Sequence, residues 1–236
     1  YVPEEVIAAA GILPVRMTGD SRELELEEAN AHLYINTCSY CRSCLELALD
    51  NQWDFLDGYV SAATCDGSRR LADVWQIYVT KIPLIYVLTS PRKFTERAHM
   101  LYLDEVREMK RLVEEFSGAK ITDDSLRDAI KLYNRTRQLL HDLYDMKKAD
   151  NPPVTGAETL EIINASFRMP RDQYNDLLVR LLDELKATGR QVTGSARLMI
   201  SGSPLNNPQF IKTIEDEGAI VVVDELCMGT RYWWDQ

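Results

Sequence analysis

No uninterrupted apolar run in this chain approaches the length of a membrane-crossing helix. The longest, such as Ala219 to Val223, fall far short of the roughly 20 residues required. No signal-peptide pattern opens the sequence, and a membrane is not an expected partner. Positive charge is also scarce, with 27 Lys and Arg against 37 Asp and Glu for a net charge of −10. Binding to a phosphate backbone runs on clustered Lys and Arg, and no basic stripe alternates with aromatics, so nucleic acid is not expected either. The phosphate-loop pattern GxxxxGK(S/T) is missing, so ATP hydrolysis is not expected in this chain. Short-period repeats and low-complexity tracts are lacking too. What is present is 45% hydrophobic and 27% charged residues in a length of 236, enough for a sizeable core in one large domain or two smaller ones.

Cysteine is sparse and its count is odd. Three of the five crowd together as Cys38, Cys41 and Cys44, a poor disulfide framework for a chain of this size. Thiolates kept available for metal in a reducing cytoplasm suit them better.

The pattern along the chain is α/β. Pro3 with Glu4 and Glu5 opens a short helix that Gly11 ends, and Ile12 to Met17 then predicts a strand. His32 to Asn36, Asp57 to Ala62 and Leu84 to Leu88 predict further short strands, alternating with helices over Cys38 to Leu49 and Gly67 to Val79. That alternation is the signature of a parallel sheet. From Thr95 to Thr188 apolar residues recur at helical spacing, with a start at Thr122-Asp123-Asp124, a break at Asn151-Pro152-Pro153 and another start at Pro170. Strands return at Ala196 to Ile200 and Ala219 to Val223, around a helix that Asn207 caps and Pro208 begins. The expected organisation is a first parallel-sheet Rossmann-like unit over 1–93, a helical segment over 94–189, and the start of a second such unit over 190–236. The first residue is not methionine, and residues 224–236 leave the second unit with too few strands to close a sheet, so an incomplete chain is expected.

Cys38, Cys65 and Cys227 each follow a predicted strand at the point where a helix begins. Ligands of open parallel sheets gather beyond the carboxyl ends of the strands, so three thiolates could meet at that edge. Cys41 and Cys44 fall within a predicted helix, where periodic burial accounts for a small apolar-tolerant residue. A second reading takes Cys38, Cys41 and Cys44 as the CxxCxxC part of a ferredoxin-type pattern, although the fourth cysteine followed by proline is absent and Leu45 to Leu49 favours helix. A third leaves most of these cysteines as buried small residues. Zinc wants a fourth protein ligand, and His32, His99 and His141 stand in no ligand spacing. Arg42, Arg69, Arg70 and Arg231 adjoin the cysteines, placed to offset thiolate charge or hold an anion, or else to pair with carboxylates such as Asp66 and Asp73. Tyr232-Trp233-Trp234 reads equally as a wall of the site or as core packing.

Four motifs in order carry a family resemblance. They are Pro3-Glu4-Glu5 with Ala8-Ala9-Ala10-Gly11, Cys38-Ser39-Tyr40-Cys41-Arg42-Ser43, Thr64-Cys65-Asp66-Gly67-Ser68-Arg69-Arg70, and Asp224-Glu225-Leu226-Cys227-Met228-Gly229-Thr230-Arg231. In order and spacing the chain resembles the benzoyl-CoA reductase and 2-hydroxyacyl-CoA dehydratase family. The resemblance implies two α/β units around a [4Fe-4S] cluster held by Cys38, Cys65 and Cys227, with one iron left without a protein ligand, and Arg42 and Arg231 beside it. It implies radical chemistry on an acyl-CoA thioester, either reduction of an aryl ring or loss of a 2-hydroxyl. The implied partners are an acyl-CoA substrate, a sister subunit of the same family and a separate ATP-hydrolysing iron-sulfur activator. Cys41 and Cys44 are extra to that pattern and leave a larger, double-cubane type of cluster open.

Overall fold

In the computed structural model, residues 2–19 and 25–234 are described. The chain separates into two compact units, Tyr1–Ala129 and Ile130–Gln236.

The first unit begins with α1 (Glu4–Ala9), which carries Glu4 and Glu5 in its first turn, where negative charge favours a helix start. Next comes α2 (Glu27–His32), whose first-turn amides Glu28 and Ala29 donate to the buried Glu46 carboxylate at 3.4 and 2.7 Å. Glu46 belongs to α3 (Ser39–Leu49), so one carboxylate both sits in its own helix and closes the start of another. β1 (Tyr59–Ala62), α4 (Asp66–Tyr78) and β2 (Leu84–Leu88) form a βαβ unit, with β1 and β2 parallel in a register that pairs Ser61 with Val87 and Ala62 with Leu88. α5 (Glu96–Ser117) starts at Thr95, whose hydroxyl accepts from the Ala98 amide, a standard N-cap.

Two apolar clusters hold this unit. One lies among α2, α3 and α4, centred on Leu45, Trp53 and Trp75; the Trp75 indole donates to the Ile82 carbonyl at 2.8 Å, leaving its large ring buried at no polar cost. The other joins α1, β1, β2 and α5 through Val6, Ala62, Leu88, Met109 and Val113.

α6 (Asp123–Met146) is opened by reciprocal bonds between Thr122 and Ser125, each 3.1 Å. In the second unit α7 (Gly156–Ala165) starts in a Thr155–Glu158 capping box, and α8 (Arg171–Thr188) follows Pro170. A second βαβ unit then runs through β3 (Ala196–Gly202), α9 (Pro208–Asp216) and β4 (Ala219–Leu226), its strands parallel and its helix capped by Asn207. Its core is Leu160, Ile211 and Val221. Glu215 ties α7 to it, accepting from the amides of Gly156, Ala157 and Val221. α10 (Thr230–Trp233) closes the described chain. Among the described residues no helix is long and apolar enough to cross a membrane.

The architecture is α/β with two parallel two-stranded sheets, as the alternating pattern predicts. Two predicted strands are corrected. Residues 12–17 form no ladder; Val15 and Met17 instead pack their side chains onto the α2–α3–α4 cluster. His32 ends a helix and residues 33–36 follow it without a strand, with Leu33 buried but Tyr34 and Ile35 72% and 62% exposed. An apolar run of this length can be held by one buried anchor rather than by a sheet.

Candidate functional site

Cys38 is the N-cap residue of α3, reached by a loop from α2 rather than from a strand. Cys41 stands one helical turn further on, so the CxxC spacing turns both sulfurs toward the same end of the helix. Cys65 is the N-cap of α4, three residues beyond the end of β1. Its sulfur accepts from the Ser68 amide at 3.4 Å while the Ser68 hydroxyl accepts from the Cys65 amide at 3.2 Å, a capping box built on a thiol.

Gly67 brings the two helix starts together. A Cβ placed on it would lie 3.0 Å from the Cys41 sulfur, 3.6 Å from the Cys38 Cβ and 3.8 Å from the Cys65 sulfur. Glycine there lets Cys38, Cys41 and Cys65 approach one point, which any side chain would crowd. Cys65 is exposed, Cys38 half-buried and Cys41 buried. The Cys41 thiol is hydrogen-bonded to Cys38, and that bond, helped by the backbone amides of Tyr40 and Cys41 and last by the charge of Arg42, brings the Cys38 thiol down to about 6. The same bond, together with burial, pushes Cys41 well up. Cys44, fully buried and hydrogen-bonded to Tyr40, is pushed by desolvation up to about 12. The extra cysteines of α3 therefore differ: both are buried, but only Cys41 lies beside Gly67 and Cys38.

Arg42 is anchored on α2 and on the loop before Cys38, its Nε donating to the Thr37 carbonyl at 3.1 Å and its Nη1 to Asn30 Oδ1 at 2.7 Å. It fixes the loop that delivers Cys38 and acts on that sulfur through its charge. Arg70 pairs with Asp73 at 3.0 Å on the solvent face of α4.

The second unit carries Cys227 in the turn that follows β4. Arg231 Nη1 donates to the Cys227 sulfur at 3.7 Å, and its Nε is bound by Glu225. The other oxygen of Glu225 accepts from the Ser201 hydroxyl at 2.5 Å, so both strands contribute to holding the guanidinium. Arg231 and Ser201 together hold Glu225 down at about 2. Asp224 organises the same turn by accepting from the Thr230 amide at 2.9 Å and from the Tyr144 hydroxyl. Tyr232 to Trp234 are packing residues in part: Trp233 is buried against Tyr144 and His141, and the Tyr232 hydroxyl accepts from Arg171.

Among the described residues no three His, Cys, Asp or Glu side chains are drawn together as a single metal ion would need. The donors that do gather are sulfurs at two helix starts, the ligand type that iron-sulfur clusters take, packed closely about Gly67. Glu225 and Ser68 were not singled out by their sequence neighbourhood, and Cys41 entered only through the ferredoxin-type reading. Only Cys41 carried a local signal, the CxxC spacing with Cys38.

Two βαβ units, with Cys65 at the helix start of the first and Cys227 just after the last strand of the second, place the chain among α/β proteins. The chain belongs to the 2-hydroxyglutaryl-CoA dehydratase D-component family, whose model matches residues 1–236. It is 31% identical over 234 residues to one of the subunits of benzoyl-CoA reductase of Thauera aromatica, and 26% identical over 234 residues to the beta subunit of (R)-2-hydroxyglutaryl-CoA dehydratase of Acidaminococcus fermentans. In both comparisons 98% of this chain aligns with 61% of the relative. The beta subunit of lactoyl-CoA dehydratase of Anaerotignum propionicum is 26% identical over 232 residues. The chain thus spans about three-fifths of the length of these relatives, which are reductase and dehydratase subunits.

Proposed function

We propose that this chain is the cluster-bearing part of an iron-sulfur acyl-CoA enzyme subunit, holding a [4Fe-4S] cluster through Cys38, Cys65 and Cys227. The observation that carries the reading is the meeting of the Cys38 and Cys65 side chains around Gly67, at the starts of α3 and α4. When bound, such a cluster supplies a low-potential electron and, with three protein ligands, an iron open to a thioester oxygen. The chain's own residues hold and tune that group. Arg231 offsets negative charge on the Cys227 sulfur, Glu225 and Ser201 fix its guanidinium, and Arg42 lends positive charge to Cys38. Both arginines are proposed to face the reacting thioester or its CoA phosphates as well.

The favoured reaction is ATP-dependent reduction of benzoyl-CoA or a related aryl-CoA, supported by the likeness to the benzoyl-CoA reductase relative. The second reading is 2-hydroxyacyl-CoA dehydration, favoured by the family description and by the dehydratase relatives. In either case the partners are a sister subunit and a separate ATP-hydrolysing iron-sulfur activator, and the compartment is the cytoplasm. The organisation proposed is an α/β unit over 1–93, a helical segment over 94–189 and a second α/β unit from 190.

The test is anaerobic purification of the full-length subunit with its sister subunit, followed by iron and sulfide analysis. About four irons per subunit, lost on exposure to air, are expected. Cys38→Ser, Cys65→Ser and Cys227→Ser should each strip most of the iron, and retention by all three variants overturns the assignment. With the activator and ATP added, consumption of benzoyl-CoA or of a 2-hydroxyacyl-CoA separates the two reactions.

A further inference from the structure

Cys41 does not behave as the core residue its helical position suggests. It is 5% exposed and belongs to the α2–α3–α4 cluster, but its sulfur is the atom nearest to a Cβ built on Gly67, with Cys38 and Cys65 next in distance. The helix geometry explains why. Cys38 caps α3 and Cys41 falls in its first turn, so one turn of helix brings both sulfurs to the end that faces the start of α4. Cys44, a further turn along, points into the interior at 1% exposure and is hydrogen-bonded to Tyr40. The two cysteines that sequence spacing treats alike are therefore separated by structure.

We propose that Cys41 is a fourth sulfur ligand of the cluster site, occupying in the resting protein the iron that Cys38, Cys65 and Cys227 leave open. The proposal rests on the reading that this chain carries a four-iron cluster. A four-iron cube sets each ligating sulfur on a different iron, so its ligands stand further apart than those of one ion. The sulfurs of Cys41 and Cys65 would lie 3.0 and 3.8 Å from a Cβ on Gly67, and the Cys41 thiol is hydrogen-bonded to Cys38, which brings these three cysteines within reach of one cluster. The open corner then exists only while Cys41 is off the iron.

The experiment compares the full-length wild type with Cys41→Ala, Cys41→Ser and Cys44→Ala, each reconstituted anaerobically and assayed for iron and sulfide. Each is then oxidised with ferricyanide and followed by electron paramagnetic resonance. A four-iron cluster with an unprotected iron loses it on oxidation and gives the three-iron signal. Wild type and Cys44→Ala should hold four irons with only a trace of that signal. Both Cys41 variants should lose about one iron in four, with the signal rising toward one spin per cluster. Equal three-iron yields from wild type and the Cys41 variants overturn the role of Cys41 while leaving the cluster in place. A wild-type protein that takes up no iron overturns the cluster reading and this proposal together. Cys41→Ser keeps the shape of the thiol, so a fold lost only in Cys41→Ala does not blunt the comparison.

Discussion

The Asp224 carboxylate fills the space that any side chain at position 229 would need, since a Cβ built on Gly229 would overlap Asp224 Oδ1. The same carboxylate accepts from the Thr230 amide and the Tyr144 hydroxyl, so the turn holding Cys227 is packed around one acidic group. Gly229→Ala must displace it, and the expected cost is about 1–3 kcal/mol, the range for forced overpacking. Urea denaturation checks this. Asp224→Ala in the same chain should recover part of the loss, a coupling that two independent sites would not show.

Glu46 offers a second test, because it is buried and its partners are amides of a different helix. Glu46→Ala leaves those amides with no acceptor, and a loss of about 1.5–3 kcal/mol is expected for a charge-assisted bond. Glu46→Gln keeps an acceptor and should fall between wild type and alanine. Urea midpoints at neutral pH read both, and a midpoint for the alanine variant equal to that of wild type rejects the helix-closing role.

Cys38 has a pH signature in the iron-free protein. Its thiol lies at about 6, chiefly because the Cys41 thiol donates to it, then through the backbone amides of Tyr40 and Cys41, with a smaller pull from Arg42. Alkylation of Cys38 by iodoacetamide, resolved by peptide mass spectrometry, should therefore rise through a midpoint near that value. Cys41→Ala should move the midpoint up toward the ordinary thiol value of about 8.5, and Arg42→Ala should move it less. A wild-type midpoint already at the ordinary value removes the basis of the argument.

Lys147 is buried, and desolvation lowers its amine to about 8 against the pull of Asp224, Glu215 and Glu158. The folded state thus binds fewer protons than the unfolded one between about 8 and the ordinary lysine value of 10.5. Stability from this group accordingly rises with pH across that window, and below it the full penalty of a buried charge is present. Buried thiols and phenols such as Cys44 and Tyr144, raised in the fold, act in the opposite direction. The clean measurement is therefore the difference between wild type and Lys147→Met. Any advantage of the methionine variant in urea should shrink as pH rises from about 8 to 10.5, and a constant difference rejects the shift.

Much of the fold was legible because its signals are local. Leu84–Leu88 is a strand with the predicted bounds, and Asn207 with Pro208 starts α9 as their chemistry requires. The helix at Ser39–Leu49 is one residue from its predicted start. What escaped was decided at a distance. Nothing within residues 27–32 reveals that a carboxylate 17 residues on will close that helix, and the apolar look of residues 32–36 then suggested a strand. For the site, the prominence of Cys38 and Cys65 followed from their place before predicted helices. The separation of Cys41 from Cys44 depended on Gly67, which lies on another element and is silent in any helical pattern. Glu225 and Ser201 sit 24 residues apart and meet only because β3 and β4 pair.

Cys65 occupies two offices at once, since the sulfur that faces Gly67 also receives the Ser68 amide at the head of α4. An amide aimed at a sulfur draws electron density from it, whatever else that sulfur binds. Ser68 thereby becomes a remote dial on donor strength, and any change in what Cys65 grips is transmitted mechanically into the first turn of a helix that supports β1 and β2.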